Sequence, residues 1–245
     1  MQPHSLAHLD DAAIRRVLGF LGYGNPAGRF WFIGLEEGLG GVTPEEALVN
    51  LEARGTYDPV MDLEVAQSRL RKDGAFLDLE KRKSFSQVWV WIAKIVCACH
   101  GERDWESSET WKPYIQTRLG RSGGDTFLTE ASPIPSKDGE GRKSWHELFR
   151  QREPTTDRLI AERLRDLARL RDAHRPERIV CYGTDRAGQF QRLLGIDRWH
   201  ALTQDSKASA DGRFLSLPFF GQGRMSAGEL RALLDLGALP RLGGR

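Results

Sequence analysis

Short apolar runs alternate along the chain with longer amphipathic segments. The short runs are rich in aromatic and β-branched residues, which favour buried strands. These predicted strands are Phe30–Ile33, Thr126–Thr129, Arg178–Tyr182 and Phe214–Leu217.

The longer segments carry apolar residues at helical spacing or begin with residues that cap helices. One predicted helix begins at Thr43, and the others span Ser84–Cys99, Thr156–His174 and Ser226–Leu236. Strands that alternate with long helical connections are typical of a parallel sheet covered by helices on both faces. We therefore expect an α/β fold.

Length and composition narrow the class of protein. The chain has 245 residues, which fits one α/β domain spanning residues 1–245. A net charge of +2 excludes a protein that binds nucleic acid through bulk positive charge alone. The three cysteines form neither a disulfide framework nor a zinc or iron–sulfur spacing. We therefore expect reduced thiols, no metal site and no cofactor.

The sequence also indicates where in the cell the protein is found. The segment Met1–Asp11 lacks the layout of a signal peptide. The longest apolar stretch, Val88–Cys99, contains Lys94 and is too short to span a bilayer. We expect a cytoplasmic monomer without membrane contact.

Two carboxylates follow the first predicted strand. Gly34 is followed by Leu35 and then by Glu36 and Glu37. In an open parallel sheet, ligands bind beyond the carboxyl ends of the strands. A carboxylate at that place suits positioning a water or stabilising a developing positive charge. A solvated acidic turn is the alternative interpretation.

Polar residues also follow the second and third strands. Glu130 and Ser132 come after the second strand, and a surface-facing edge residue is the alternative for Glu130. Thr184 follows the third strand where a helix begins. The start of a helix suits a phosphate group, and a plain helix cap is the alternative.

A glycine-rich loop leads from the fourth strand to the last helix. It holds Gln222, Arg224, Met225 and Ser226. An exposed Arg-Met pair in such a loop suits contact with a nucleic-acid backbone and insertion of an apolar wedge. The alternative is that Met225 packs against the last helix.

Together and in this order, the four strand ends resemble the motifs of the uracil-DNA glycosylase superfamily. Ile33–Gly38 is similar to the first motif, Leu128–Pro135 to the second and Val180–Thr184 to the third, and Gly221–Ser226 takes the place of the fourth. The resemblance covers most of the chain from Phe30 onward. It implies a three-layer α/β/α sandwich with a central four-stranded parallel sheet. It also implies a DNA glycosylase, which flips a base out of DNA and hydrolyses its N-glycosidic bond to leave an abasic site.

The resemblance assigns roles in the base pocket. Glu36 falls where the family keeps the group that activates water or stabilises the sugar cation. Glu37 is the second candidate, because it replaces the family's usual proline. Gly34 and Glu130 fall in the base-binding motifs, and Tyr57 lies at roughly the position of the family's stacking aromatic. A core or turn aromatic is the alternative for Tyr57.

The resemblance also implies contacts with DNA. Met225 falls where the family places its wedge leucine. The fourth motif lacks the family's histidine, so help for the departing base must come from elsewhere, with His146 as a candidate. No lysine follows any of the four strands in a position to form a Schiff base with the sugar, so we expect a monofunctional enzyme. The residues expected to contact DNA are Ser132, Lys137, Arg142, Lys143, Thr184, Gln222, Arg224, Met225 and Ser226.

Glu130 bears on which base is excised. The family uses asparagine at this place to read uracil, whereas an ionised glutamate only accepts hydrogen bonds. Cytosine presents an amine donor where uracil presents the acceptor O4. An ionised Glu130 therefore favours a cytosine-like edge. Because excision of ordinary cytosine would destroy the host's own DNA, we expect a hydroxymethylated or glycosylated cytosine, as in phage DNA, and a role in anti-phage defence.

Three alternatives stay open. A protonated Glu130 would read uracil, which would make the protein a repair glycosylase for uracil or another deaminated base. A catalytically inactive relative would bind nucleic acid without excising a base. A nucleoside hydrolase would use the same acidic pocket on free nucleosides.

Charge is distributed unevenly along the chain. Residues 1–136 hold 15 basic and 19 acidic residues, a balance of −4, and residues 137–245 hold 21 and 15, a balance of +6. We expect the first part to supply the base pocket and the second part to hold the DNA strand. The near-neutral sum predicts a modest dependence of DNA binding on salt.

Overall fold

The computed structural model describes residues 10–38, 44–136 and 155–241. The helices are α1 (Asp11–Gly19), α2 (Pro44–Arg54), α3 (Leu63–Gln67), α4 (Gln87–Cys99), α5 (Ser108–Thr117), α6 (Thr155–His174), α7 (Ala187–Leu194) and α8 (Ala227–Asp235), with a 3₁₀ turn at Thr184–Arg186. The strands are β1 (Gly22–Gly24), β2 (Phe30–Gly38), β3 (Val60–Met61), β4 (Arg71–Lys72), β5 (Ala75–Phe76), β6 (Thr126–Ser136), β7 (Arg178–Tyr182), β8 (His200–Ala201), β9 (Lys207–Ala208) and β10 (Phe214–Leu217).

The four predicted strands form the centre of one sheet. They are neighbours in the order β6-β2-β7-β10, and every pair among them is parallel. The expectation of a mostly parallel α/β sheet is therefore confirmed. The expected number of four strands is wrong, because within the described residues short edge strands extend the sheet to eight. Those edge strands have two or three residues each, too few to give an apolar pattern in the sequence.

Helices cover both faces of the sheet because successive side chains of β2 point in opposite directions. Phe30 and Phe32 pack in a core cluster with residues of α4 and α8. Trp31 and Ile33 pack in a second cluster with residues of α6 and α7. The described residues thus form a helical layer, a sheet and a second helical layer.

Side-chain caps determine where two of the helices begin. The Ser86 side chain accepts a hydrogen bond from the Trp89 backbone N–H, so α4 begins at Gln87 and not at Ser84 as predicted. The Ser226 side chain accepts one from the Glu229 backbone N–H and starts α8. Among the described helices, none combines the length and the apolarity needed to cross a membrane.

The strands β2 and β6 run further than their apolar patterns predicted. Gly34 is paired in register with Glu130, and Glu36 is paired with Ser132. These polar residues therefore lie within paired strands and not in loops after them. Pairing with a neighbouring strand holds residues of low strand propensity in an extended conformation. As a result, the pairing of β2 with β6 fixes the backbone of both strands at the carboxyl edge of the sheet.

Candidate functional site

A cavity of about 300 Å³ opens at the carboxyl ends of β2, β6 and β7. Three carboxyl groups, those of Glu36, Glu37 and Glu130, line it together with Ser132 and Tyr182. The volume is at the lower end of the range for small-molecule sites. The structure therefore brings the predicted acidic residues of the first two motifs to one site.

Gly34 lies between two side chains that meet above it. Its register partner on β6 is Glu130, and the pairing of Ile33 with Cys181 places Tyr182 next to it on β7. The Tyr182 hydroxyl donates a 2.5 Å hydrogen bond to Glu130 Oε1. A Cβ atom at residue 34 would overlap both Glu130 Oε2 and the Tyr182 hydroxyl. Glycine is needed here because the side chains of both neighbouring strands occupy the space above it.

Burial changes the protonation of Glu130. Desolvation raises its pKa from 4.5 to about 8, although the hydrogen bond from Tyr182 opposes the rise. Its Oε2 atom is buried without a hydrogen-bond partner among the described residues. The carboxyl group is therefore mostly neutral at pH 7, with a hydroxyl to donate. The ionised Glu130 of the sequence argument is corrected to the protonated form.

Glu37 is held in an ion pair. Its Oε2 accepts a 2.7 Å hydrogen bond from Arg54 Nη2, and Arg54 also donates to the Tyr23 hydroxyl at 3.1 Å. The Arg54 side chain is buried, and its charge is stabilised there by Glu37. Glu37 therefore neutralises a buried cation.

A buried arginine fixes the backbone beneath Glu130. Arg163 of α6 is 2% exposed, and its guanidinium donates to the carbonyls of Glu130 at 2.7 Å and Phe20 at 2.6 Å. Desolvation lowers the pKa of Arg163 to about 10, and the nearby Glu130 opposes that change. Neither Arg54 nor Arg163 could be recognised from the sequence, because an arginine on an amphipathic helix has the same pattern whether it is buried or exposed.

The predicted stacking aromatic is wrong. Tyr57 is 1% exposed in the core, its hydroxyl donates a 2.7 Å hydrogen bond to the Ala66 carbonyl, and its ring does not line the cavity. The cavity is instead lined by Trp89 of α4 and by Phe219, both only partly buried. Trp89 is thus a better candidate than Tyr57 for contact with a ligand in the cavity.

The wedge role of Met225 is also wrong. Met225 is 3% exposed and packs in the core cluster beside α8, as the alternative interpretation had it. Its neighbour Arg224 is exposed and lies 3.7 Å from the Asp185 carboxylate. Gln222 is exposed at a φ of 57°. Of this loop, Gln222, Arg224 and Ser226 have exposed side chains.

The remaining predicted DNA contacts divide into two groups. The Thr184 hydroxyl donates to the Asp205 carbonyl at 2.7 Å, and Ser226 caps α8, so both side chains already have structural partners. Four residues lie outside the described residues: Lys137, Arg142, Lys143 and the candidate His146.

Comparison with known proteins gives no relative for this chain: no family model, no curated protein and no solved structure matches it. Within the part of the chain that the structure describes, no three His, Cys, Asp or Glu side chains lie close enough together to hold a metal ion. The site's chemistry is therefore argued from its own side chains.

Proposed function

We propose that the protein is a monofunctional DNA glycosylase of the uracil-DNA glycosylase type, which hydrolyses the N-glycosidic bond of a flipped base. One observation carries the proposal. Two carboxyl groups, Glu36 and Glu130, line the same cavity at the edge of a parallel sheet, and their surroundings differ. A pair of acids in different environments is the arrangement that divides acid and base roles in glycoside hydrolysis.

The strand register supports this division of roles. Glu130 is level with Gly34, so Glu36 lies two residues further along the neighbouring strand. Strand spacing places their Cα atoms about 8 Å apart on the same side of the sheet.

Glu36 acts on the sugar. A carboxylate stabilises the oxocarbenium-like sugar that develops as the base departs, and it orients the water that attacks C1′. Glu36 is preferred over Glu37, because the resemblance places Glu36 where the family keeps the group that activates water or stabilises the sugar cation.

Glu130 acts on the base. Its neutral carboxyl group presents one donor and one acceptor, and these match N3 and the exocyclic amine of a cytosine. Transfer of the proton to N3 lets the base leave as a neutral molecule, so Glu130 serves as the general acid. This role compensates for the missing histidine of the fourth motif.

A modified cytosine is the proposed substrate. Because cytosine itself is present throughout the host's DNA, a selective enzyme needs a mark such as a hydroxymethyl or glycosyl group at C5. Phage DNA supplies such bases, so we propose a role in defence.

Lys72 lines the cavity. A monofunctional enzyme forms no Schiff base with the sugar, so sodium borohydride should not link Lys72 covalently to an abasic oligonucleotide.

Uracil is the second candidate base, because the neutral Glu130 fits its edge as well as that of cytosine. A carboxylic acid presents one donor and one acceptor, and these also match O4 and N3–H of uracil.

The test uses oligonucleotides that carry uracil, cytosine, 5-hydroxymethylcytosine or its glucosylated form, each as single strand and duplex. The proposal predicts alkali-labile sites only with modified cytosine, and cleavage confined to uracil would transfer the function to repair. Base release from free nucleosides alone would identify a nucleoside hydrolase. DNA binding without release of any base would identify an inactive relative.

A further inference from the structure

A second group of polar side chains lines the cavity from elements outside the central sheet. Gln67 is the last residue of α3, Arg82 lies in the segment before α4, and Trp89 lies in the first turn of α4. Glu36 and Glu130, by contrast, lie on β2 and β6. The cavity is therefore built from two sets of elements, and the proposed chemistry uses only one of them.

Gln67 carries a buried amide without a protein partner. The residue is 4% exposed, and its side chain makes no hydrogen bond with the described residues. The side-chain atoms that are both fully buried and unpaired belong to Glu130 and Ser216, so the Gln67 amide keeps some accessible surface. Because Gln67 lines the cavity, that surface faces the cavity. A polar group that is buried and unpaired costs free energy, and a ligand in the cavity would supply its partner.

The short helix α3 holds Gln67 in place. The Asp62 side chain caps the start of this helix by accepting a 2.9 Å hydrogen bond from the Glu64 N–H. Next to Gln67, the Ala66 carbonyl accepts a 2.7 Å hydrogen bond from the buried Tyr57 hydroxyl. The backbone that carries the amide is thus fixed before a ligand arrives, which lowers the entropic cost of binding.

Arg82 and Trp89 add a cation and an aromatic ring to this group. The Arg82 guanidinium lies 5.7 Å from the centre of the Trp89 ring and 5.8 Å from that of Phe85. Desolvation lowers the pKa of Arg82, and among the described residues no carboxylate is paired with it. The indole N–H of Trp89 likewise has no acceptor there. Together with Gln67, these side chains offer several N–H donors, one amide oxygen and a ring.

This set of groups suits a ligand that is rich in hydroxyl groups. A hydroxyl both donates and accepts, so it satisfies the amine and the carbonyl of a carboxamide. A phosphate dianion only accepts, and it would leave the Gln67 oxygen unpaired. A hexose also presents C–H groups on the faces of its ring, which can pack on an aromatic side chain such as Trp89.

We propose that Gln67, Arg82 and Trp89 form a glycosyl subsite, which binds a sugar attached to the base that Glu130 contacts. Gln67 exchanges hydrogen bonds with one sugar hydroxyl, Arg82 donates to another, and the sugar ring packs on Trp89. The inference rests on the proposed function in taking a nucleobase as the ligand of Glu130. It goes further by selecting a glycosylated base over a hydroxymethylated one, because a single hydroxyl group cannot occupy all three side chains.

The test compares Gln67→Met with Gln189→Met in the full chain. Methionine keeps the length of glutamine and removes the amide, and Gln189 on α7 does not line the cavity. Oligonucleotides carry cytosine, 5-hydroxymethylcytosine or its glucosylated form. Single-turnover base release is measured on each, and binding is measured by fluorescence anisotropy with Glu36→Gln added so that the base stays in place. Urea denaturation without DNA measures the stability of each variant.

Gln67→Met should weaken binding and base release of the glucosylated oligonucleotide about tenfold to a hundredfold, because a sugar hydroxyl loses its partner. Binding of the other two oligonucleotides should change less than about threefold. The unfolding midpoint should equal or exceed that of wild type, because methionine removes an unsatisfied amide. Arg82→Met should show the same selective loss, and Gln189→Met should match wild type in every assay.

The outcomes separate this inference from the proposed function. Equal losses of Gln67→Met on all three oligonucleotides, or no loss on the glucosylated one, overturn the glycosyl subsite. A lower unfolding midpoint of Gln67→Met also overturns it, since the amide would then have a structural role. If the glucosylated oligonucleotide is bound through Gln67 but no oligonucleotide loses a base, the subsite stands and the glycosylase proposal fails. If only bases without a sugar are released, the glycosylase proposal stands and the subsite fails.

Discussion

Glu130→Gln tests the chemistry of the buried carboxyl group without any assumption about substrate. Glutamine keeps the shape of the neutral acid, and its Oε1 still accepts the hydrogen bond from Tyr182. What it removes is the ability to ionise. If Glu130 is neutral in the folded protein, the substitution alters how stability depends on pH far more than it alters stability at low pH.

The magnitude follows from the difference between folded and unfolded states. In the folded protein the pKa of Glu130 is raised from 4.5 to about 8. Between these values the unfolded chain gives up the proton while the folded chain keeps it. The folded state therefore binds more protons, and stability falls as pH rises. For this one group, the free energy of unfolding of wild type should fall by about 2.5 kcal/mol relative to Glu130→Gln between pH 6 and pH 8.5.

Urea denaturation followed by tryptophan fluorescence, repeated across that pH range, measures the difference directly. A control, Glu162→Gln, removes an exposed carboxyl group on α6 whose partner is Arg158. The control should remain parallel to wild type from pH 6 to pH 8.5. If Glu130→Gln is also parallel to wild type, Glu130 is ionised in the folded protein, and its role as general acid fails.

The other predictions concern the neighbours of Glu130 in the cavity. Glu37→Gln should cost about 3 kcal/mol in the free energy of unfolding, because it leaves the buried Arg54 without its carboxylate; a loss below 0.5 kcal/mol in urea denaturation would show that the ion pair is not structural. Gly34→Ala should lower stability by about 1–3 kcal/mol and abolish base release, since the added methyl group overlaps the side chains of Glu130 and Tyr182; a thermal midpoint equal to wild type would contradict the packing described. Tyr182→Phe removes the hydrogen bond that lowers the pKa of Glu130, so the alkaline limb of kcat/KM, expected at about 8 in wild type, should move to higher pH; an unmoved limb would mean that another group sets it.

The sheet could be predicted from the sequence because each central strand carries its own apolar run. The runs at Phe30 and Phe127 are buried on both faces, so their pattern does not depend on which strand is their neighbour. The extensions of β2 and β6 could not be predicted, because they hold glycine, glutamate and serine. These residues are extended only because the two strands pair with each other.

The candidate site was predictable in part. Glu36 and Glu130 follow the apolar runs of two predicted strands, and this position predicted a shared site at the carboxyl edge of the sheet. The contact of Tyr182 with Glu130 required the register, because it depends on Gly34 lying between them. In the observed register, Gly34, Glu130, Tyr182 and Leu217 lie in one row across the four central strands, and Tyr182 is the aromatic among them.

The errors share a physical cause. Tyr57 and Met225 lie in or beside turns, where an apolar side chain turns inward or outward according to tertiary contacts that the local sequence does not contain. The hairpin at Arg71–Phe76 escaped prediction because its strands have two residues each. The Asp73–Gly74 dipeptide, which is typical of a two-residue hairpin turn, was the sequence signal that could have revealed it.

The central claim is that Glu36 drives release of a flipped modified cytosine. It is tested most directly by mass spectrometry of the free base released in a single turnover from a glucosylated 5-hydroxymethylcytosine oligonucleotide, with Glu36→Gln compared to wild type. Wild type should release the intact modified base and leave an abasic site, and Glu36→Gln should lower the rate at least about a hundredfold while still binding the oligonucleotide. Release at the wild-type rate by Glu36→Gln, or no release of any base by wild type, would contradict it.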